Sequence, residues 1–209
     1  MGANCFRPVT QIHTEGSLRR LDNNINVTNN NVTNNNIMRN DNNNESIMYR
    51  IGNLQDLSDI MRINRETFMD GEVYSYNTWR MLIENGTFFV AIKDKEIVGY
   101  NVCADIPEYL PKEIKDFIKE KNIQNLIMIM SFAVSEKMRG KGIGNGLMEI
   151  MINYFQKKTP IIIGLEARKS NVPALNLYTK HGFIRYHIEL YQYYETNPEN
   201  GIFMYKSLD

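Results

Sequence analysis

Cysteine is scarce in this chain, which has two among its 209 residues, Cys5 and Cys103. Two cysteines cannot build the framework of disulfides that holds many small secreted domains together. We therefore expect a protein of a reducing, intracellular compartment. Because Cys103 stands in a strand-like stretch, it is predicted to be a small residue of the core.

The chain also lacks an excess of charge, with 24 Lys and Arg against 24 Asp and Glu. This balance argues against a general nucleic-acid binder, although it leaves a local basic patch open. No apolar run reaches the length of about 20 residues that a membrane-spanning helix needs, and the first residues lack a signal-like apolar region. We expect a cytoplasmic protein with no membrane partner and no sequence-specific nucleic-acid partner.

Histidine is equally sparse, and His13, His181 and His187 show no spacing typical of metal ligands. The sequence contains nothing that resembles a Ser–His–Asp triad. We therefore expect no metal site and no chemistry through such a triad.

Asparagine, by contrast, is abundant, with 13 asparagines among the 23 residues of 22–44. Such a tract buries too little apolar surface to offset the entropy lost when it is ordered. We predict that residues 1–47 form a disordered Asn-rich tail and that residues 48–209 form one domain. The tail is interpreted as low-complexity sequence without a binding role.

The hydrophobic pattern of residues 48–209 predicts a mixed α/β sheet. The predicted strands lie near residues 49–51, 87–93, 96–104, 126–134, 161–164, 183–189 and 201–206. Helices are predicted near residues 54–68, 79–83 and 147–155 and after residue 171. An insertion at 105–125 carries one more helix, with Ile114, Phe117 and Ile118 on one face. This helix either covers an edge of the sheet or forms a lid over the substrate groove.

The most informative motif is the run Arg139-Gly140-Lys141-Gly142-Ile143-Gly144, between a predicted strand and a predicted helix. Alternate glycines at a helix start let backbone N–H groups point outward together, and the positive helix end makes this nest suitable for phosphate. The spacing of the glycines fits neither a P-loop nor a dinucleotide fingerprint. The motif predicts a site for an anionic cofactor. The alternative is a tight strand–helix turn with a solvated Lys and Arg.

A second motif reads Leu165-Glu166-Ala167-Arg168-Lys169-Ser170-Asn171 and leads into an Ala-x-x-x-Tyr helix that closes with Gly182-Phe183. Together the two motifs resemble the cofactor site of the GNAT superfamily, the acyl-CoA-dependent N-acyltransferases, over residues 48–209. The Leu-Glu-x-Arg-x-Ser-Asn string is similar to protein N-terminal acetyltransferases of the RimI type and to the catalytic subunits of the eukaryotic enzymes. The resemblance implies a GNAT fold, with a mixed, mostly antiparallel central sheet that is splayed at the cofactor site and flanked by helices.

The resemblance implies acetyl-CoA as the cofactor. Its expected contacts are Phe132, Ala133, Val134, Arg139, Gly140, Lys141, Gly142, Ile143, Gly144, Asn145 and Asn171. In the family, a backbone N–H of the segment that matches Phe132–Val134 meets the oxyanion. Asn171 resembles the residue that hydrogen-bonds the CoA arm.

Glu166 is the candidate general base. It emerges at the end of an apolar strand, where open α/β sheets place their binding clefts. Partial burial would help it to accept a proton, through a water molecule. In the RimI-type enzymes a Glu at this motif position is proposed as the base. The alternative is a structural ion pair with Arg168, which lies two residues on and therefore on the same strand face.

Tyr178 is the candidate general acid, because the matching tyrosine of the family lies close to the thioester sulfur. A tyrosine can protonate a leaving thiolate only if the two groups are well placed. The alternative is a tyrosine that packs its helix on the sheet.

Tyrosines crowd the expected acceptor side of the domain. The candidate substrate-binding residues are Tyr74, Tyr76, Tyr193 and Tyr194, with Tyr191 nearby. Tyr193-Tyr194 resembles the pair with which N-terminal acetyltransferases grip the peptide backbone, although one extra residue precedes it here. The Glu-Asp-Ala that follows in the family is Glu199-Asn200-Gly201 in this chain. Packing in the core or at an interface is the alternative for each tyrosine.

These features predict an acetyl-CoA-dependent N-acetyltransferase that transfers acetyl directly to the α-amine of a protein or peptide. At pH 7 a lysine starts about 3 kcal/mol further from its neutral form than an α-amine, so a modest base suffices for an N-terminus. Two alternatives stay open: a GNAT enzyme for a small amine or a lysine side chain, and a non-catalytic acyl-CoA-binding module. The resemblance also leaves open an auxiliary subunit or association with the ribosome.

Overall fold

A computed structural model of the chain describes residues 2–4, 36–40, 46–68, 73–107, 110–194 and 198–209, with only the backbone described at 2–4, 40, 188 and 191–194. The strands are β1 (Gly2–Asn4), β2 (Ile37–Asn40), β3 (Ser46–Ile51), β4 (Thr87–Lys93), β5 (Glu96–Ala104), β6 (Leu126–Val134), β7 (Ile161–Arg168), β8 (Ile184–Tyr194) and β9 (Glu199–Leu208). The helices are α1 (Leu57–Thr67), α2 (Tyr76–Asn85), α3 (Lys112–Glu120), α4 (Ile143–Gln156) and α5 (Val172–Lys180).

Within these residues the nine strands form one sheet. Their spatial order is β2-β3-β4-β5-β6-β7-β9-β8, and β1 pairs with β6 beside this path. Each pairing is antiparallel except that of β6 with β7. Helix α4 connects this parallel pair, as parallel neighbours require a crossover. The predicted fold class, a mixed and mostly antiparallel sheet with flanking helices, is confirmed.

Two hydrophobic layers cover the two faces of the sheet. One lies beneath α4 and α5 and includes Leu147 and Phe155. The other lies beneath α1, α2 and α3 and includes Ile60, Trp79 and Phe117. Because both faces are covered, β6 is buried along its whole length, which explains why its sequence is apolar except for Ser131. Among the described residues, no helix is both long enough and apolar enough to cross a membrane.

Local sequence determines where the helices begin. Ser75 precedes α2 and its hydroxyl accepts the backbone N–H of Thr78 at 3.1 Å. Asn171 precedes α5 and its side chain accepts the N–H of Ala174 at 3.3 Å. Both are side-chain caps of the kind preferred at helix starts. Gly142 precedes α4 with a φ of 86°, in the left-handed region that favours glycine.

The insertion at 105–125 forms α3, as its apolar stripe predicts. Phe117 is fully buried, with its ring centroid 4.7 Å from that of Tyr186 and 5.2 Å from that of Phe203. The Tyr186 hydroxyl donates a hydrogen bond to a Glu120 carboxyl oxygen at 2.7 Å. These contacts join α3 to β8 and β9 and favour a covering helix over a lid.

Several elements differ in extent from the prediction. The bounds of the β4–β5 hairpin agree, whereas β8 and β9 are longer than predicted because their pairing continues to Tyr194 and Glu199. Strands β1 and β2 belong to the segment predicted as a tail. Ile37 of β2 packs against the layer beneath α4, and Arg39 forms an ion pair with Glu149. Residue 36 and the first two residues of β3, Ser46 and Ile47, also fall in this segment and are described, and Ile47 is fully buried. The remaining residues of the segment lie outside the described residues, and their disorder stays a prediction.

Candidate active site

Strands β6 and β7 separate part-way along their length. Their parallel pairing runs from Leu126 opposite Ile162 to Ile129 opposite Leu165. Beyond that point β6 continues to Val134 and β7 continues to Arg168. We call the space between residues 130–134 and 166–168 the splay. An opening of the sheet at this place agrees with the predicted fold.

A bulge in β6 lies at the start of the splay. The partners of β5 shift from Ser131, opposite Val102, to Ile129, opposite Cys103, so Met130 is an extra residue in the ladder. Bulges bend a strand and leave backbone groups outside the regular pairing. The Tyr74 hydroxyl donates a hydrogen bond to the Met130 carbonyl at 3.1 Å. Tyr74, a candidate substrate-binding residue, is only 5% exposed and holds this wall of the splay in place.

Buried hydrogen bonds support the same wall from behind. The Asn64 side-chain amide of α1 donates to the Tyr100 hydroxyl of β5 at 3.0 Å. The Tyr100 hydroxyl lies 3.0 Å from the Ser131 hydroxyl of β6. All three side chains are fully buried. Because such bonds are strong away from water, they fix the position of the bulged segment relative to α1.

Glu166 stands on the facing wall. It is the first residue of β7 beyond the last pair with β6, and it lies opposite Phe203 of β9. Leu165 and Ala167 belong to the layer beneath α4 and α5, so strand alternation directs Glu166 to the opposite face. Its side chain is fully buried. Burial disfavours the charged form of a carboxyl group, which suits a group that must accept a proton.

Arg168, considered above as an ion-pair partner for Glu166, bonds to a different carboxylate. Its Nη1 lies 3.4 Å from Oε2 of Glu199 on β9. Glu199 also accepts hydrogen bonds from the backbone N–H and the hydroxyl of Ser170. These contacts fix the turn from β7 into α5. Glu199 was noted in the sequence only as a departure from the family pattern, so its anchoring role was missed.

A cleft of about 290 Å³ lies between the end of β6, the glycine loop and α5. It adjoins the splay, because Phe132 and Val134 belong to both. Eight of the eleven predicted cofactor residues line it: Phe132, Val134, Arg139, Gly140, Gly142, Ile143, Gly144 and Asn145. The structure therefore gathers the glycine loop and the strand end into one cavity.

The glycine loop has the geometry of an anion nest. Gly140 and Gly142 have φ values of 75° and 86°, which residues with side chains rarely adopt. The first backbone hydrogen bond of α4 joins the Gly146 N–H to the Gly142 carbonyl, so the amides of residues 143–145 point out of the helix end. A Cβ atom on Gly144 would lie 3.3 Å from Leu177 and 3.6 Å from Phe132, within the cleft.

Polar side chains anchor the rim of the cleft. Arg139 donates from Nε to the Val134 carbonyl at 3.2 Å, which ties the loop to the end of β6. Asn145 and His181 are joined by a contact of 3.2 Å between Oδ1 and Nε2. Burial lowers the pKa of His181, and the charges of Lys180 and Lys206 lower it further. His181 is therefore neutral at pH 7 and adds no positive charge to the rim.

The other three predicted cofactor residues do not line the cleft. Ala133 pairs with Tyr100 of β5, and the Lys141 amine lies 3.7 Å from the Met138 sulfur. Asn171 acts as the cap of α5 described above. Their contacts with a cofactor stay predictions.

Tyr178 lies behind the wall of the cleft. It is fully buried on α5, and its ring meets the Phe132 ring edge-on at a centroid distance of 6.4 Å. This position is consistent with both roles considered for it, packing and proton donation. Tyr76, at the start of α2, is 56% exposed. The side chains of Tyr191, Tyr193 and Tyr194 lie outside the described residues, and their predicted contacts with the acceptor stay predictions.

Comparison with known proteins assigns the chain to a family. The model of the Acetyltransferase (GNAT) family matches residues 54–183, which include the glycine loop and Glu166. The chain belongs to the GNAT family of acetyltransferases.

Individual relatives extend this GNAT assignment. A protein of Sulfurisphaera tokodaii named N-alpha-acetyltransferase is 30% identical over 162 residues, which cover 75% of this chain and 91% of the relative. A protein of the same name from Saccharolobus solfataricus is 29% identical and covers 76% of this chain and 92% of the relative. Among solved structures, the ribosomal-protein-S18-alanine N-acetyltransferase of Escherichia coli has a TM-score of 0.61 at 20% identity, covering 78% of this chain and 95% of its own. This last likeness shows a shared fold.

Part of the GNAT cleft was missed by sequence reasoning. The additional lining residues are Met138, Pro173, Asn176, Leu177 and Lys180. Four of them lie on α5 at intervals of three, four and seven residues from Pro173, so they share one helix face. This helical spacing is the sequence feature that could have identified the four residues as one surface. Among these residues Lys180 carries a positive charge that suits an anionic ligand.

Proposed function

We propose that this GNAT protein is a cytoplasmic, acetyl-CoA-dependent acetyltransferase that modifies the α-amine of a protein or peptide N-terminus. The observation that carries the proposal is the buried carboxyl of Glu166 in the splay, beside a cleft formed by the glycine loop. The two relatives described above, whose name is N-alpha-acetyltransferase, favour the α-amine as acceptor.

The residues of the cleft suit acetyl-CoA. The outward amides of residues 143–145 and the Lys180 ammonium group would hold its phosphates. Phe132, Val134 and Leu177 offer apolar surface to its less polar arm. When bound, acetyl-CoA supplies an acetyl group activated as a thioester.

Two side chains of the chain would move the protons. Glu166 would take the proton of the incoming amine through a water molecule, and Tyr178 would donate a proton to the departing thiolate. A backbone N–H of residues 132–134 would donate to the carbonyl oxygen as it gains negative charge. An α-amine needs only a modest base, because its pKa lies about 2.5 units below that of a lysine side chain.

A panel of acceptors tests the proposal. The full chain is mixed with acetyl-CoA and three acceptors: a peptide with a free α-amine and no lysine, the same peptide with a blocked N-terminus and one lysine, and a polyamine. CoA release and mass mapping report the rate and the modified atom. We expect acetylation at the α-amine of the first peptide. Turnover only on the lysine or the polyamine would contradict the proposed acceptor.

A further inference from the structure

The splay contains a strand of this chain. Strand β1 pairs antiparallel with β6, with Gly2 opposite Ala133, Ala3 opposite Phe132 and Asn4 opposite Ser131. The other edge of the same three residues of β6 is taken by β5. Strand β1 therefore lies on the edge of β6 that faces β7, and it contacts β7 as well.

Strand β1 overlaps the candidate active site. Its partners include Phe132, which lines the cleft, and residues 132 and 133 belong to the backbone segment proposed to stabilise the oxyanion. The antiparallel direction places Gly2 beside Ala133, at the end of β6 that leads to the glycine loop. Glu166 is fully buried in this arrangement. Because β1 lies between β6 and β7, a substrate that approaches Glu166 through the splay would take the space that β1 occupies.

We propose that β1 is an autoinhibitory strand. It docks on the open edge of β6, and acetyl-CoA can place its reactive end there only after β1 has left. This inference rests on the proposed function. The docked strand is short, with three residue pairs, and Gly2 and Ala3 have little or no side chain to bury. Open strand edges accept extended peptides through backbone hydrogen bonds, and a pairing this short is marginal by itself. Strand β1 is thus suited to reversible docking.

The strand and the cofactor are coupled through this competition. When only a fraction of the molecules has an open splay, the apparent affinity for the cofactor equals the intrinsic affinity multiplied by that fraction. A strand docked in nine of ten molecules raises the apparent dissociation constant about tenfold. Disrupting the strand restores the intrinsic affinity.

Proline substitutions in the full chain test the inference. In the variant Ala3→Pro/Asn4→Pro, two strand N–H groups are lost and pairing with β6 is disfavoured. The control is Asn29→Pro/Asn30→Pro, which adds the same two prolines at positions remote from β1 in the sequence. Calorimetric titration with CoA measures the dissociation constant without any need for turnover. We expect the first variant to bind CoA about tenfold more tightly than the unsubstituted chain. The control should bind CoA with the same affinity as the unsubstituted chain.

A peptide supplies the reciprocal measurement. An N-acetylated peptide with the sequence of residues 2–6 is added to the Ala3→Pro/Asn4→Pro variant, and we expect it to compete with CoA. Equal CoA affinity in all three proteins, with no effect of the peptide, would overturn the inference and leave the proposed function standing. Failure of all three proteins to bind CoA would contradict the proposed function and the inference together.

Discussion

The proposed proton transfers rest on two buried side chains that stand on different elements. Glu166 lies on β7 at the point where the sheet opens, and Tyr178 lies on α5 behind Phe132. For each of them a purely structural role is the competing explanation. Substitutions that keep the shape of the side chain and remove its proton chemistry separate the two explanations.

At this residue scale, Tyr178→Phe removes one hydroxyl and keeps the ring against Phe132. We expect kcat to fall about 100-fold with little change in thermal stability, because proton donation is lost and packing is kept. The control is Tyr154→Phe on α4, where the hydroxyl accepts a hydrogen bond from Lys158 at 2.8 Å. Steady-state rates and thermal unfolding provide the two readouts. Equal rates in the two variants would assign Tyr178 to packing.

At the scale of elements, the glycine loop depends on its left-handed residues. Gly142 and Gly182 both have positive φ, 86° and 81°, but only Gly142 lines the cleft. Substitution by alanine at either position imposes a similar backbone strain of about 1–2 kcal/mol. We expect both variants to lose stability in urea and Gly142→Ala alone to bind CoA more weakly. The same loss of CoA affinity in Gly182→Ala would show that the weaker binding does not arise from the geometry of the glycine loop.

Substitutions in α3 test whether this helix covers an edge of the sheet or forms a lid over the substrate groove. Phe117 is surrounded by the rings of Tyr186, Phe203 and Tyr205, so Phe117→Ala should lower the free energy of unfolding by about 3–5 kcal/mol. Ile118→Ala, at a partly buried position of the same helix, should cost less. Urea denaturation measures both effects. A changed KM for the acceptor with unchanged stability would instead indicate a lid.

At the scale of the whole molecule, a surface cluster joins β8, β9 and the turn after β7. Hydrogen bonds from Asn200, Lys169 and Arg185 lower the pKa of Glu189 from its ordinary value to about 2. A carboxyl with a lowered folded-state pKa stabilises the fold above its unfolded-state pKa of 4.5, and this contribution is lost as the pH falls toward 2. Glu189→Gln should therefore flatten the decline of stability between these pH values.

The measurement is urea unfolding at several pH values and two salt concentrations. Because Glu189 lies at the surface, high salt should weaken the effect. Glu96→Gln, an exposed position at the start of β5, is the control and should keep the decline. If the stability of the Glu189→Gln variant depends on pH as that of the unsubstituted chain does, this cluster does not cause the loss of stability in acid.

The parts of the molecule that the sequence predicted are those encoded in local patterns. The ends of the β4–β5 hairpin follow from two strand-like runs on either side of the turn at Asp94-Lys95, and the glycine loop follows from its own spacing. The resemblance to the GNAT family supplied the splayed fold and placed Glu166 within it. The glycine loop and the motif at residues 165–171 are each continuous in sequence, so the sequence alone reveals them.

The remaining features depend on contacts between distant residues. The pairing of Gly2 with Ala133 joins a three-residue strand to one far along the chain, and three residues carry no periodicity to reveal it. The hydrogen bond from Tyr74 to Met130 requires the bulge in β6, which no local pattern announces. The cleft face of α5 was visible as helical spacing, but only the folded sheet shows which way that face points.

The most direct test of the catalytic assignment is Glu166→Gln, measured for both peptide acetylation and CoA affinity. Glutamine keeps the volume of the side chain and cannot accept the proton. We predict that kcat falls at least about 100-fold while the dissociation constant of CoA stays unchanged. Glu84→Gln on α2, which removes an exposed carboxylate paired with Arg80, should leave both quantities unchanged. Full activity of the Glu166→Gln variant would contradict the account.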